Sequence, residues 1–563
     1  MINRFLTFLN KEFRGVNEAA LMLGGFALLS QILGLIRDRI LAHIVGVGPI
    51  LDVYYAAFRI PDFIYISIAS LASVTVLMPF LIDKINNDDY KKGNRAKAFM
   101  DNVFSAYILF MLIVSLLIVI LIPCLVPFIA PGFNDYQMGL LINVTRIMLI
   151  SPIFIGLSNL IGTVTQLFRN FLVFSLSPVF YNIGILFGVI FLYPKLGIYG
   201  LSLGVIVGAI LHFSIQVPVV LKHKFFPKFI PNIKWKEIWQ VVKLSAPRTL
   251  ALSSNSLAFI FLVAMASTIK AGSISLFTFS FNLQSVPVGI IGISYSVAAF
   301  PILVKSFLMK DMDNFIKQII LAARQIIFWS LPALALFIVL RAQIVRVILG
   351  SNSFSWSDTR LTAASVALFV VSLVSQGLVL LFVRGYYAAG KTKKPLVVNV
   401  FSSIMVVVFA KILIFVFNNY PLVLAKLEMI LRVKDVPGTV MLALPLAYAM
   451  GSLLNFFLIW ILFKKDFLPK DKINLSNIFF ESTISAVFIG LTTYIFLGFF
   501  DGIFNINTGW GIFFQGLFSG IIGITLGVLI LALFKNKELF DLIHAMKNKF
   551  WKNRVLFPEQ KEL

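Results

Sequence analysis

Charge is scarce in this chain. Asp, Glu, Lys and Arg make up 13% of its 563 residues, against 59% hydrophobic residues. Mean hydropathy is +0.95. So little charge cannot cover a water-facing surface, which excludes a soluble globular protein. Cysteine is nearly absent: Cys124 stands alone, so no intrachain disulfide forms, and its apolar setting predicts a packed thiol. The four histidines are scattered, with no spacing that predicts a metal site. Gly-rich phosphate loops and nucleophile elbows are missing too, so neither catalytic residues nor a bound cofactor are expected. No small-residue cleavage site follows the basic start (Arg4, Lys11, Arg14), and the first apolar run reads as a retained helix rather than a signal peptide.

What remains is hydrocarbon, 58 Phe included. Apolar runs near or above 18 residues recur along the chain, the mark of membrane-spanning helices. They predict an all-α polytopic membrane protein with about fourteen spans. The first two cover 18–45 and 51–82, and the last two 476–499 and 509–534. The net charge of +24 falls in alternate loops: Lys84 to Lys97, Lys222 to Lys236, Lys305 and Lys310, Lys391 to Lys394, Lys464 to Lys472. That alternation predicts cytoplasmic termini and argues against nucleic acid as a partner. Arg341, Arg346 and Arg360, beside a predicted outer loop, are exceptions.

The basic segment LKHKFFPKFIPNIKWKEIWQ divides the helices into two groups of six. Each opens with two long helices joined by a short Gly-containing turn, VGVGP and KAGS, which hints at the paired repeats of transporters with a site between them. The expected organisation is 1–17 as a cytoplasmic segment, 18–223 as a six-helix lobe and 224–240 as a basic cytoplasmic linker. A second six-helix lobe (241–465), two additional spans (466–535) and a basic tail (536–563) follow. In the tail, Leu539, Ile543, Met546 and Phe550 recur at helical spacing. It reads either as an amphipathic helix on anionic membrane lipid or as a basic tail that only sets topology. The outer connection NNYPLVLAKLEMILRVKDVPG reads as a surface helix or a solvated loop.

Against this background LGLIRDRILAHIVGVGPILDVYYAAFRIPD stands out, carrying Arg37, Asp38, Arg39, Asp52, Arg59 and Asp62. A charge at the centre of a membrane helix costs roughly 2.5–3.5 kcal/mol and normally faces a cavity or a partner. Arg37, Asp38 and Arg39 either line such a cavity or snorkel to the headgroups. Asp52 is either a cavity residue or a helix-start carboxylate on the dipole. Arg59 and Asp62, three residues apart, can share a face as an ion pair or line a cationic cavity, and Pro61 between them is a kink site. In the second group Arg248, Asn255 and Asn282 are candidates. Arg248 also suits a snorkelling position, and the neighbouring polar residues suit helix packing.

LLSQILGLIRDRILAHIVGVGPILDVYYAAFRIPDF closely resembles the opening of the MurJ/MviN family of lipid II flippases. FIAPGF, VTRIMLISP, LSPVFYNIG and RGYYAAGKTKKP extend the resemblance. It implies two lobes about a central cavity, as in the multidrug/oligosaccharidyl-lipid/polysaccharide exporter superfamily, with the last two helices forming a groove for the lipid tail. It also implies export of the undecaprenyl-pyrophosphate-linked peptidoglycan precursor, lipid II, to the outer leaflet of the bacterial inner membrane by alternating access. Arg37, Asp38, Asp52 and Arg59 carry over, with guanidinium suited to pyrophosphate. The chain departs from the family's charges at Gln31, Tyr65, Ser70, Asn282 and Ser285. A flippase for another polyprenyl-linked oligosaccharide, an ion-coupled exporter and a transport-inactive scaffold are the alternatives. An integral-membrane glycosyltransferase lacks an acceptor constellation beside Asp52 and Asp135. Membrane potential, Na+ and H+ are open as the driving force, and other cell-wall synthesis proteins as partners.

Overall fold

The computed structural model describes residues 16–68, 74–86, 95–168, 170–467 and 475–551. Ser70, Lys91, Lys92, Arg169, Lys470, Lys472 and the basic start lie outside them, as do the side chains of Met546 and Phe550. The regular structure of the described chain is nearly all helix, as hydrocarbon demands: a helix satisfies its own backbone donors and acceptors where water cannot. Among the described residues, eleven helices are long and apolar enough to cross a membrane. Counting Trp356–Val370 and Leu373–Ala388, bent by 44°, as one span makes twelve.

A count of fourteen is not confirmed. The two outside the count are the expected 18–45 and 51–82. Val16–Ile44 forms one helix but carries Arg37, Asp38 and Arg39 in its C-terminal half. Of the second, the described residues form Pro49–Ala57 and Arg59–Ile68, with a break between them, and Val74–Asn86. That break sits at Phe58 because Pro61 has no N–H for the carbonyl of Ala57, one turn earlier.

The chain forms two compact units. One contains Met1–Asn282, Ile348–Thr362 and Thr392–Gly451; the other contains Leu283–Val347, Ala363–Lys391 and Ser452–Leu563. The basic linker lies inside the first unit and is not a loose tether. Asp101, Asn102 and Ser105 on Arg95–Ile129 hold its backbone: Asp101 accepts from the Lys228 N–H (2.7 Å), Ser105 from Ile230 (2.8 Å) and Asn102 from Lys234 (2.8 Å). Cys124, on the same helix, is exposed rather than packed. It shares an uncovered apolar face with Leu116 and Ile120. The connection after Asn419 does form a surface helix, Pro421–Leu431, with Leu422 and Ile430 uncovered.

Within the first unit the two Gly-containing turns meet. Gly272, at φ +92°, lies so close to Val47 that a Cβ there would come within 2.6 Å of its Cγ1. Asp52 locks this junction. Its carboxylate accepts from the Gly272 N–H (2.6 Å), the Ser275 N–H (2.8 Å) and the Ser275 hydroxyl (2.5 Å), capping Ser273–Pro287 from another helix. Each buried donor left bare costs about 1–3 kcal/mol. Asp52→Ala should therefore cost about 3 kcal/mol or more, read as a lower thermal midpoint in detergent and lower membrane yield. Asp52→Asn, which keeps one acceptor oxygen, should lose less.

In the second unit Ser476–Asp501 and Gly509–Leu533 pack on each other and on Met312–Val339. The tail forms a helix, Lys537–Trp551, with Leu539 buried and Ile543 exposed. Its first turn is pinned through the buried Glu538, which pairs with Arg324, and through Asn536, whose amide donates to Glu481 (2.5 Å).

Candidate functional site

A cavity of about 400 Å³ opens inside the first unit. Arg37 and Leu41 reach it from Val16–Ile44. Tyr54, Tyr55 and Phe58 reach it from Pro49–Ala57 and its cap, and Arg59, Asp62 and Ile66 from Arg59–Ile68. Tyr181, on Phe171–Phe187, closes one side. Asn255, Ser256 and Phe259 of Trp235–Ser267 and Thr278, Phe281 and Asn282 of Ser273–Pro287 supply the rest.

The charges differ in how they are held. Arg37 donates from Nε (3.0 Å) and Nη2 (2.9 Å) to Oδ1 of the buried Asp38, and from Nη1 to Asn182 (3.4 Å). The other oxygen of Asp38 accepts from the Asn282 amide at 2.8 Å. Asn182 is itself fixed by donating to Ser30 and to the Pro178 carbonyl. Arg37 is thus a preset, half-neutralised cation. Arg59 is not: its Nε is buried with no hydrogen-bond partner, and the guanidinium lies 5.7 Å from the Phe259 ring centroid. Of the two readings open for Arg59 and Asp62, the ion pair is not made: Arg59 turns toward Phe259, and both side chains line the cavity. Two neutral groups on the cavity wall, the Tyr55 hydroxyl and Thr278 Oγ1, are also buried without partners. Unpaired polar atoms are costly in hydrocarbon, so three helices spend stability to aim them at one space.

The structure brings Arg37, Arg59, Asp62, Asn255 and Asn282 together, with Asp38 one hydrogen bond behind. It does not bring Asp52, which serves the turn described above, or Arg248. Arg248 lies two turns before Asn255, roughly 10 Å along the axis and outside the lining. Arg39 donates to the Ile348 carbonyl (3.2 Å) and leaves the cavity to its neighbours. Tyr54, Tyr55, Tyr181 and Thr278 were not among the expected residues. Tyr181 and Asn182 sit in LSPVFYNIG, a segment that did stand out.

Comparisons with known proteins agree with this architecture. A family model described as "Lipid II flippase MurJ" matches residues 41–512. A probable lipid II flippase MurJ of Buchnera aphidicola is 26% identical over 402 residues, 70% of this chain and 77% of that protein. The lipid II flippase MurJ of Burkholderia cenocepacia is 25% identical over 387 residues, 67% of this chain and 74% of that one. A solved lipid II flippase MurJ in an inward closed conformation superposes with TM-score 0.73 at 21% identity, covering 93% of this chain and all of that one. An inward-facing multidrug transporter of the MATE family, in the MOP superfamily, gives TM-score 0.60 at 16% identity over 79% of this chain and 96% of its own. These last two likenesses speak for the fold alone. With a family model running across most of its length, this chain belongs to the MurJ family of lipid II flippases.

Proposed function

We propose that this chain carries lipid II from the inner to the outer leaflet of the bacterial cytoplasmic membrane by alternating access, serving peptidoglycan synthesis. The observation that carries the reading is the unpartnered Arg59 beside the preset Arg37 in one cavity, walled in part by the membrane-spanning helices that carry Tyr181, Asn255 and Thr278. Guanidinium presents a planar fork to phosphate oxygens, and in a low-dielectric wall that contact is strengthened. Cytoplasmic termini follow from the basic loops, and the lipid tail runs along the last two spans. The driving force is the membrane potential or a sodium or proton gradient.

The test is lipid II exposure on the outer leaflet of bacteria depleted of their own flippase, comparing this protein with an empty vector at matched viability. Restored exposure is expected. No restoration despite full membrane insertion would turn the reading to another polyprenyl-linked glycan, which binding competition among purified glycolipids would then identify.

A further inference from the structure

Asp62 is the one cavity group that a pyrophosphate site does not need. Its carboxylate is exposed to the cavity and makes no hydrogen bond or ion pair among the described residues. Arg59 is within reach, three residues back on the same helix, where opposite charges ordinarily pair. The two stay apart, with Arg59 over Phe259. The cavity thus offers a cation and an anion separately, and an anionic headgroup alone would be repelled by the second. No group of three His, Cys, Asp or Glu among the described residues could hold a metal ion. A lone carboxylate beside the rings of Tyr54 and Tyr181 suits an ammonium instead, which donates a charge-assisted hydrogen bond to the carboxylate and is drawn to the rings by cation–π attraction.

We propose that Asp62 receives a protonated primary amine of the transported headgroup, so that the cavity reads a zwitterion, phosphate at Arg59 and ammonium at Asp62. This rests on the lipid II reading, in which the amine is that of the peptide stem. Asp62 is then a specificity-determining residue that separates amine-bearing glycolipids from those without one.

The experiment measures binding of lipid II, and of lipid II acetylated on its stem-peptide amines, to the purified full-length protein. The wild type is expected to bind the native form roughly tenfold more tightly, the scale of one charge-assisted contact. Asp62→Asn should bind both forms equally, near the wild-type affinity for the acetylated form, and Asp62→Glu should restore the difference. Equal binding of both forms by the wild type overturns the ammonium site, with no variant needed. So does a preference that survives in Asp62→Asn. No binding of either form overturns the lipid II reading itself, and this inference with it.

Discussion

Arg59→Ala is expected to abolish the restored lipid II exposure while the protein reaches the membrane at wild-type levels. Arg59 forms no ion pair and its Nε is buried unsatisfied, so removing it breaks no hydrogen bond or ion pair in the resting structure and loses only the contact with the Phe259 ring. The main loss is of contacts made with a bound anion, worth about 1.5–3 kcal/mol for hydrogen bonds to a charged group, or roughly 10- to 150-fold in affinity. The thermal midpoint should stay level or rise, because functional sites commonly trade stability for chemistry. Arg37→Ala should behave differently. It strips the buried Asp38 of its cation, leaving Asn282 to hold the carboxylate, so transport and thermal midpoint should fall together. Exposure assays at matched membrane levels, beside melting curves in detergent, separate the two variants. Normal transport by Arg59→Ala would remove it from the path of the substrate.

Much of this site was legible because charge inside a membrane has few uses. Arg37, Arg59 and Asp62 stood out for that reason, and the structure gathers them. Asp52 met the same criterion and went elsewhere, since a buried carboxylate can be satisfied by backbone donors as well as by a cavity. Those donors lie 220 residues away at Gly272, beyond the reach of local spacing. Tyr54, Tyr55 and Tyr181 carried no signal of their own among fifteen tyrosines, because an amphipathic ring suits lipid, packing and a binding wall equally. The lysines of the linker mark it as a divider. What holds it is a set of polar residues hidden in the apolar Arg95–Ile129 helix, whose partners only folding reveals. Span counting reached the helices but not their breaks, which depend on residues such as Pro61.

Gly204→Val should have the largest effect on folding. Gly184 and Gly188, then Gly200, Gly204 and Gly208, recur four residues apart, the spacing by which membrane helices bring backbones together. Phe171–Phe187 with the π-helical turn Gly188–Leu192 and Ile198–Ser214 use it in this way. A Cβ at Gly204 would stand 2.5 Å from the Gly188 Cα, and one at Gly184 would stand 2.2 Å from the Gly208 Cα. The obstacles are backbone atoms, which cannot rotate aside as a side chain can. Overpacking a core ordinarily costs about 1–3 kcal/mol, and forcing two helices apart should exceed that range. The effect reaches the cavity, because a Cβ at Gly208 would meet the Tyr181 carbonyl at 2.5 Å, and Tyr181 and Asn182 both act from that turn. Gly204→Val should therefore lose membrane accumulation. Gly208→Ala should accumulate partially, with a lower thermal midpoint and weakened lipid II binding. Gly139→Ala is the control: it sits on an exposed helix face with open space around it, where alanine should add up to about 1 kcal/mol. If Gly204→Val accumulated and melted like the wild type, these two helices would not pack backbone to backbone, and the placement of Tyr181 would need another cause.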